Sequence, residues 1–110
     1  MIKLAEATID KRDMDALSEW ISLYPRLTQG ELTKKYESEW AEYLGIKKSI
    51  SVNSGSSANL LMLYSLIEAG DLQSGDSVIV PALSWATDLA PIIQLGLHPI
   101  LCDCSIKDLS

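Results

Sequence analysis

The sequence predicts an α/β fold in which a mainly parallel sheet is flanked by helices, and three observations predict it. Short apolar runs alternate with stretches of helical period. The run Ser77-Val78-Ile79-Val80 is β-branched and ends at Pro81, as a central parallel strand does. A glycine-serine loop, Gly55-Ser56-Ser57, joins an apolar run to a helix-like stretch. At 110 residues the chain can bury a workable core but is short for an open sheet wrapped on both faces.

Met14, Leu17, Trp20, Ile21 and Tyr24 fall near helical spacing, so a first helix is expected over 13–23, with Asp10 or Asp13 as its cap and Pro25 as its end. Pro25 to Gly30 carries no period and is bracketed by two breakers, which marks a loop. A second helix begins near Glu31, with Leu32, Tyr36, Trp40, Tyr43 and Leu44 on one side and Glu and Lys on the other; Gly45 suits its left-handed end. Trp20 and Trp40 lie on these apolar stripes and are expected in the core. Ser49-Ile50-Ser51-Val52 has the length and alternation of a strand. The helix after the serine loop takes Leu60, Leu61, Leu63, Tyr64 and Ile67 almost all round, so it is expected to be buried.

Gly75-Asp76 is a turn signal before the strand over 77–80. Leu83 to Leu95 reads as a further helix, bent or interrupted at Pro91 and closed by Gly96, and Ile100-Leu101-Cys102 as a last strand. The order strand, helix, strand, helix, strand implies right-handed crossovers, and ligands on such sheets gather at the carboxyl ends of the strands. Residues 1–45 are read as N-terminal helices and loop, and residues 46–110 as the start of the sheet domain.

Hydrophobic residues make up 47% of the chain, a globular composition. Nine basic against 15 acidic side chains leave a net charge of -6, which repels phosphate backbones and argues against a nucleic-acid partner. No basic region followed by an apolar core opens the chain, and no apolar run approaches the roughly 20 residues that span a bilayer. A cytoplasmic location without a membrane partner is expected. Cys102 and Cys104 would project to one face of a strand without the geometry of a disulfide, so they are expected as buried thiols. No further ligands stand at metal-site spacing, and no metal site is expected.

The loop Val52-Asn53-Ser54-Gly55-Ser56-Ser57-Ala58-Asn59 reads as a phosphate cradle. Glycine allows close approach of the backbone, serines add hydroxyl donors, and the first turn of a helix presents free N–H groups to an anion. Its spacing is not that of a dinucleotide-binding loop, and it has no P-loop lysine. Trp85 arrives on the next loop, Pro81-Ala82-Leu83-Ser84-Trp85, at the end of the following strand. A monophosphate beneath a ring-stacking indole points to pyridoxal 5'-phosphate (PLP). Two plainer readings stand beside these: Ser56 and Ser57 as an ordinary helix cap, and Trp85 as a core aromatic. Asp103 either approaches a ligand or caps the turn after its strand.

Asn53-Ser54-Gly55-Ser56-Ser57-Ala58, then Gly75-Asp76-Ser77-Val78-Ile79-Val80-Pro81-Ala82, then Gly96-Leu97-His98-Pro99-Ile100-Leu101-Cys102-Asp103 resemble, in order and spacing, the DegT/DnrJ/EryC1/StrS sugar aminotransferases. Arg26-Leu27-Thr28-Gln29-Gly30, followed by Tyr36-Glu37 and Tyr43-Leu44-Gly45, resembles the same family's approach to its first large-domain strand. The Ser-Ser-Ala-Asn-Leu-Leu form of the loop and Trp85 look like the branch that holds the nucleotide-sugar 3-dehydratases. This resemblance implies the N-terminal portion of an aspartate-aminotransferase-like large domain (PLP transferase fold type I) in a homodimer with active sites at the subunit boundary. It implies PLP as cofactor, its phosphate bound by Gly55, Ser56 and Ser57 and its pyridine ring covered by Trp85. The complete enzyme would take a nucleotide-sugar substrate. It would transfer an amino group from an amino-acid donor to a keto sugar, or remove the 3-hydroxyl of a 4-keto-6-deoxy sugar. Either serves the synthesis of surface polysaccharide, lipopolysaccharide or deoxy- and amino-sugars.

The family's reaction also needs a lysine that links to the cofactor, or in the 3-dehydratases a histidine base, and a carboxylate for the pyridine nitrogen. No lysine here sits in a matching position, and His98 belongs to the approach of the last strand, so no catalytic residue is assigned in this chain. Alone it is expected not to turn over substrate, whether it is a fragment, a truncated reading frame or one piece of a split protein. Unpaired strand edges and uncovered helix faces are then expected to make it poorly soluble. A truncated non-catalytic interaction module and a simple Rossmann-like nucleotide binder are the alternatives.

Overall fold

The computed structural model describes residues 6–107. They form two compact units, one up to Ser51 and one from Val52 onward. The first holds helices α1 (Lys11–Ser22) and α2 (Glu31–Leu44). Asp10 is the cap of α1: its carboxylate accepts from the amides of Arg12 and Asp13 at 2.7 and 3.2 Å, and the Asp13 carboxylate accepts from the Asp10 amide at 2.9 Å. Such a reciprocal box satisfies otherwise orphaned donors and contributes about 1 kcal/mol. α2 starts at Gly30, where any Cβ would collide with the Arg26 carbonyl oxygen, and ends at Gly45, left-handed at φ 67°.

The apolar stripes of these helices face outward more than their pattern suggests. Trp20 is half-buried and Trp40 is 44% exposed, so neither is the core residue expected. The aromatic residues of α2 cover one another instead: Tyr36 and Trp40 stack at 6.2 Å between centroids, and Trp40 and Tyr43 at 5.4 Å. Nor is there a strand at 49–52. The Ser51 amide, which a ladder would use, donates to Glu37 Oε1 at 2.7 Å, and the Ser49 hydroxyl donates to the Glu37 carbonyl at 2.6 Å. The expected order of three strands is therefore corrected to two among the described residues.

The second unit runs α3 (Gly55–Ala69), β1 (Ser77–Pro81), α4 (Ala86–Gln94) and β2 (His98–Cys102). β1 and β2 pair in parallel from Ser77 opposite His98 to Pro81 opposite Cys102. Parallel neighbours need a crossover, and α4 provides it. The core gathers Leu63 of α3, Val80 of β1, Ile92 of α4 and Leu97, with Ile67, Leu72, Val78, Leu89 and Leu95 packed around them. Each fully buried aliphatic side chain contributes about 1.5–3 kcal/mol. Val78 and Val80 face this core, while Ile79 between them is exposed, the alternation of a sheet covered on one face.

Two expectations change here. α3 is not buried all round: only Leu63 is, and Leu60, Leu61, Met62, Tyr64 and Leu66 remain exposed, because α3 has α4 and the core on one side and no cover on the others among the described residues. The helix after β1 begins at Ala86 and not at Leu83, because the three residues before Trp85 make a bend in which the Ser84 hydroxyl returns to the Pro81 carbonyl at 3.0 Å. α4 continues through Pro91. Pro91 has no N–H for the Thr87 carbonyl one turn back. The Asn59 side-chain amide of α3 donates to that carbonyl at 3.3 Å. The cysteines are also corrected: Cys102 is exposed and Cys104 half-buried, both as free thiols, because no layer among the described residues covers the strand face that carries Cys102.

Candidate functional site

The first turn of α3 is built by Ser54, which stands in extended backbone at φ -162° and ψ 161° as the helix cap. Its hydroxyl accepts from the Ser57 amide and donates to the Ser57 hydroxyl, both at 3.2 Å, while its carbonyl accepts from the Ala58 amide at 3.0 Å. The cap is therefore Ser54, not Ser56 or Ser57. Several small polar residues at this helix start are each able to cap it, and the geometry selects Ser54.

With those donors engaged, the amides of Gly55 and Ser56 find no acceptor among the described residues. The first turn holds no acidic side chain, so no carboxylate of that turn competes with an incoming anion for the positive end of the helix. A Cβ added at Gly55 would meet no heavy atom within 4 Å, which leaves the approach to these amides open. Ser57 is half-buried, and because its oxygen accepts from Ser54 its own proton is free to be given outward. Two backbone amides and a hydroxyl on one turn fit a monophosphate.

Trp85 caps α4 in extended backbone, makes no side-chain cap bond, and is 73% exposed, so it is not a core aromatic. Asn59 links the two helix starts. Its amide nitrogen donates to the Thr87 carbonyl and, at 2.9 Å, to Asp88 Oδ1, both in the first turn of α4. Both partners are acceptors, which fixes the side of the amide that carries nitrogen. A hollow of about 330 Å³ lies between Ser56, Ser57 and Leu60 on α3 and Thr87, Ala90 and Pro91 on α4; Trp85 does not line it. Gly55, Ser56 and Ser57 thus share one turn, and Trp85 precedes the helix to which Asn59, one turn further along α3, is bonded.

Asp103 uses its carboxylate locally, accepting from the Cys104 amide at 2.9 Å. His98 opens β2, where its amide donates to the Asp76 carbonyl at 2.8 Å. Farther along α3 the Tyr64 phenol is held above its ordinary value of 10.0, first by a hydrogen bond with Glu68 and then by that carboxylate's charge. No helix among the described residues is long and apolar enough to cross a membrane.

A parallel strand pair joined by a crossover helix, with a further helix packed against that crossover, defines a protein of the α/β class. Residues 7–110 match the profile of the DegT/DnrJ/EryC1/StrS aminotransferase family, and the chain belongs to that family. It is 41% identical over 109 residues to a GDP-4-keto-6-deoxy-D-mannose 3-dehydratase of Yersinia pseudotuberculosis, covering 97% of this chain and 28% of the relative. It is 38% identical to a dTDP-4-dehydro-2,6-dideoxy-D-glucose 3-dehydratase of Saccharopolyspora spinosa, over 96% of this chain and 23% of the relative. The E. coli GDP-4-keto-6-deoxy-D-mannose-3-dehydratase, solved with bound hydrated PLP, superimposes with a TM-score of 0.83 at 38% identity, over 96% of this chain and 28% of that one. The chain thus spans 23% to 28% of the length of these relatives, and its α/β fold is the fold of that portion.

Proposed function

We propose that this chain supplies the phosphate-and-ring-face part of a PLP site in an enzyme acting on a nucleotide-linked 4-keto sugar, whose 3-hydroxyl it helps to remove. The observation that carries this reading is the first turn of α3, where the Gly55 and Ser56 amides stand free, no carboxylate is near in sequence, and the space over Gly55 is open. Likeness to two sugar 3-dehydratases, one solved with PLP, supports the choice of ring and reaction. PLP, when bound, supplies an electron sink for the bond that breaks on the substrate.

The chain's own residues bind and orient. The amides of Gly55 and Ser56 and the Ser57 hydroxyl hold the phosphate, and the helix dipole adds to their attraction. Trp85 offers a broad indole face on which a flat ring stacks while water is kept from that side. None of these groups moves a proton in the reaction, so turnover draws on groups other than these four.

Calorimetry on the whole chain tests the reading. PLP is expected to bind weakly, in the millimolar range set by one phosphate contact set and one stacking face. Pyridoxal without its phosphate should bind far less, and a nucleotide should give no heat of its own. Equal heats from PLP and pyridoxal, or tight nucleotide binding without PLP, would contradict it.

A further inference from the structure

We infer that Asn59 is a positioning residue for PLP: it fixes the start of α4, and so the Trp85 indole, relative to the phosphate-binding turn of α3. The inference rests on the PLP reading above. Asn59 lies four residues on from Gly55 and three from Ser56, so it stands on the same face of α3, one turn below the cradle. It is half-buried in an otherwise apolar stretch of helix, where an amide is retained only if its donors are met. Both are met, and both by the first turn of α4.

Each partner has been released by its own helix. Pro91 carries no N–H, which leaves the Thr87 carbonyl without its usual donor, and Asn59 takes that place. Asp88 is the third helical residue after Trp85, where a carboxylate commonly turns back to the capping residue's amide. No such bond forms here, and Asp88 accepts from Asn59 instead. The start of α4 is therefore held from outside, by the helix that carries the phosphate donors. PLP needs the ring face and the phosphate donors at one fixed separation, whereas inorganic phosphate needs only the α3 turn.

The test uses the whole chain labelled with 5-fluorotryptophan, the Trp85 resonance being assigned with Trp85→Phe, and titrates it with PLP and, by amide shifts at Gly55 and Ser56, with inorganic phosphate. Asn59→Leu is expected to weaken PLP about tenfold, the size of one lost hydrogen bond to a charged group, while phosphate affinity stays unchanged. Asn59→Leu/Pro91→Ala separates positioning from repair of the helix, because the alanine N–H returns a donor to Thr87 without rejoining α4 to α3. The double variant should regain the thermal midpoint but not the PLP affinity. Return of PLP affinity with Pro91→Ala, or parallel loss of PLP and phosphate, would overturn the inference. Should Asn59→Leu not fold, Asp88→Asn carries the same comparison with a smaller loss, since the acceptor becomes neutral. A wild-type chain that takes phosphate but leaves Trp85 unmoved by PLP refutes the PLP reading and this inference with it. A wild-type response that survives Asn59→Leu refutes this inference alone.

Discussion

The two units of the chain are held by different physics. Up to Ser51, order comes from local devices: the Asp10 capping box, the glycine ends of α2, and Glu37 fastening the segment at Ser49 and Ser51. Ala41 is the one buried apolar residue in its helices, and large side chains such as Tyr36 and Trp40 lie at the surface. From Val52 onward, residues distant in sequence close on one another: Leu63, Val80, Ile92 and Leu97 share a core, and a side-chain amide of one helix mends a carbonyl of the next. Local bonds place a backbone but leave side-chain surfaces free. Shared burial and cross-helix bonds also fix the distance between elements, which a cofactor site requires.

The contrast breaks most directly by substitution in each region. Ile92→Ala, at a residue only 2% exposed, should cost about 2–5 kcal/mol in urea unfolding, because it removes core volume that its neighbours cannot refill. Trp40→Ala removes a larger side chain but one already facing water, and should cost less than Ile92→Ala. Equal costs would mean that the first unit has a core after all. Asp10→Ala should cost about 1 kcal/mol and act on α1 alone, read as faster amide exchange over its first turn.

Gly55→Asp sharpens the comparison at the site. A carboxylate in the first turn of α3 should stabilise the helix by about 0.3–1 kcal/mol through its dipole, yet repel a phosphate from the same amides. Thermal midpoint and PLP affinity should therefore move in opposite directions; loss of both would show that Gly55 is needed for packing. The smallest effect is expected at Tyr64. Its raised pKa means that the folded chain keeps the phenolic proton more firmly than the unfolded one. That contribution is whole below the unfolded value near 10 and is lost as pH rises through the folded value. Glu68→Gln should bring the Tyr64 phenolate transition back toward 10.0 in an absorbance titration.

Much of this was legible in the residues. β1 begins at Ser77 as expected, because a turn and a β-branched run agree at that place, and extends one residue beyond the expected end to take in Pro81. Gly45 and Gly30 mark the ends of α2 for reasons written in the chain itself. The start of α3 at Gly55 was visible, but not the capping role of Ser54, since Ser54, Ser56 and Ser57 can each cap and only geometry chooses. The strand at 49–52 fails because pairing depends on a partner at a distance, which periodicity does not reveal. The same holds for burial of α3, where apolarity predicts a need for cover and not its presence. Asn59 and Asp88 carried no signal apart from Pro91: a helix that runs through a proline needs an outside donor, and that donor cannot be named before the fold is known.

Amide and indole shifts of the isotope-labelled whole chain under PLP titration test the central claim most directly. The account predicts that the Gly55, Ser56 and Ser57 amides and the Trp85 indole move together, along one binding curve, while the helices before Ser51 stay still. Shifts gathered elsewhere, or a Trp85 that moves while Gly55 and Ser56 do not, would contradict it.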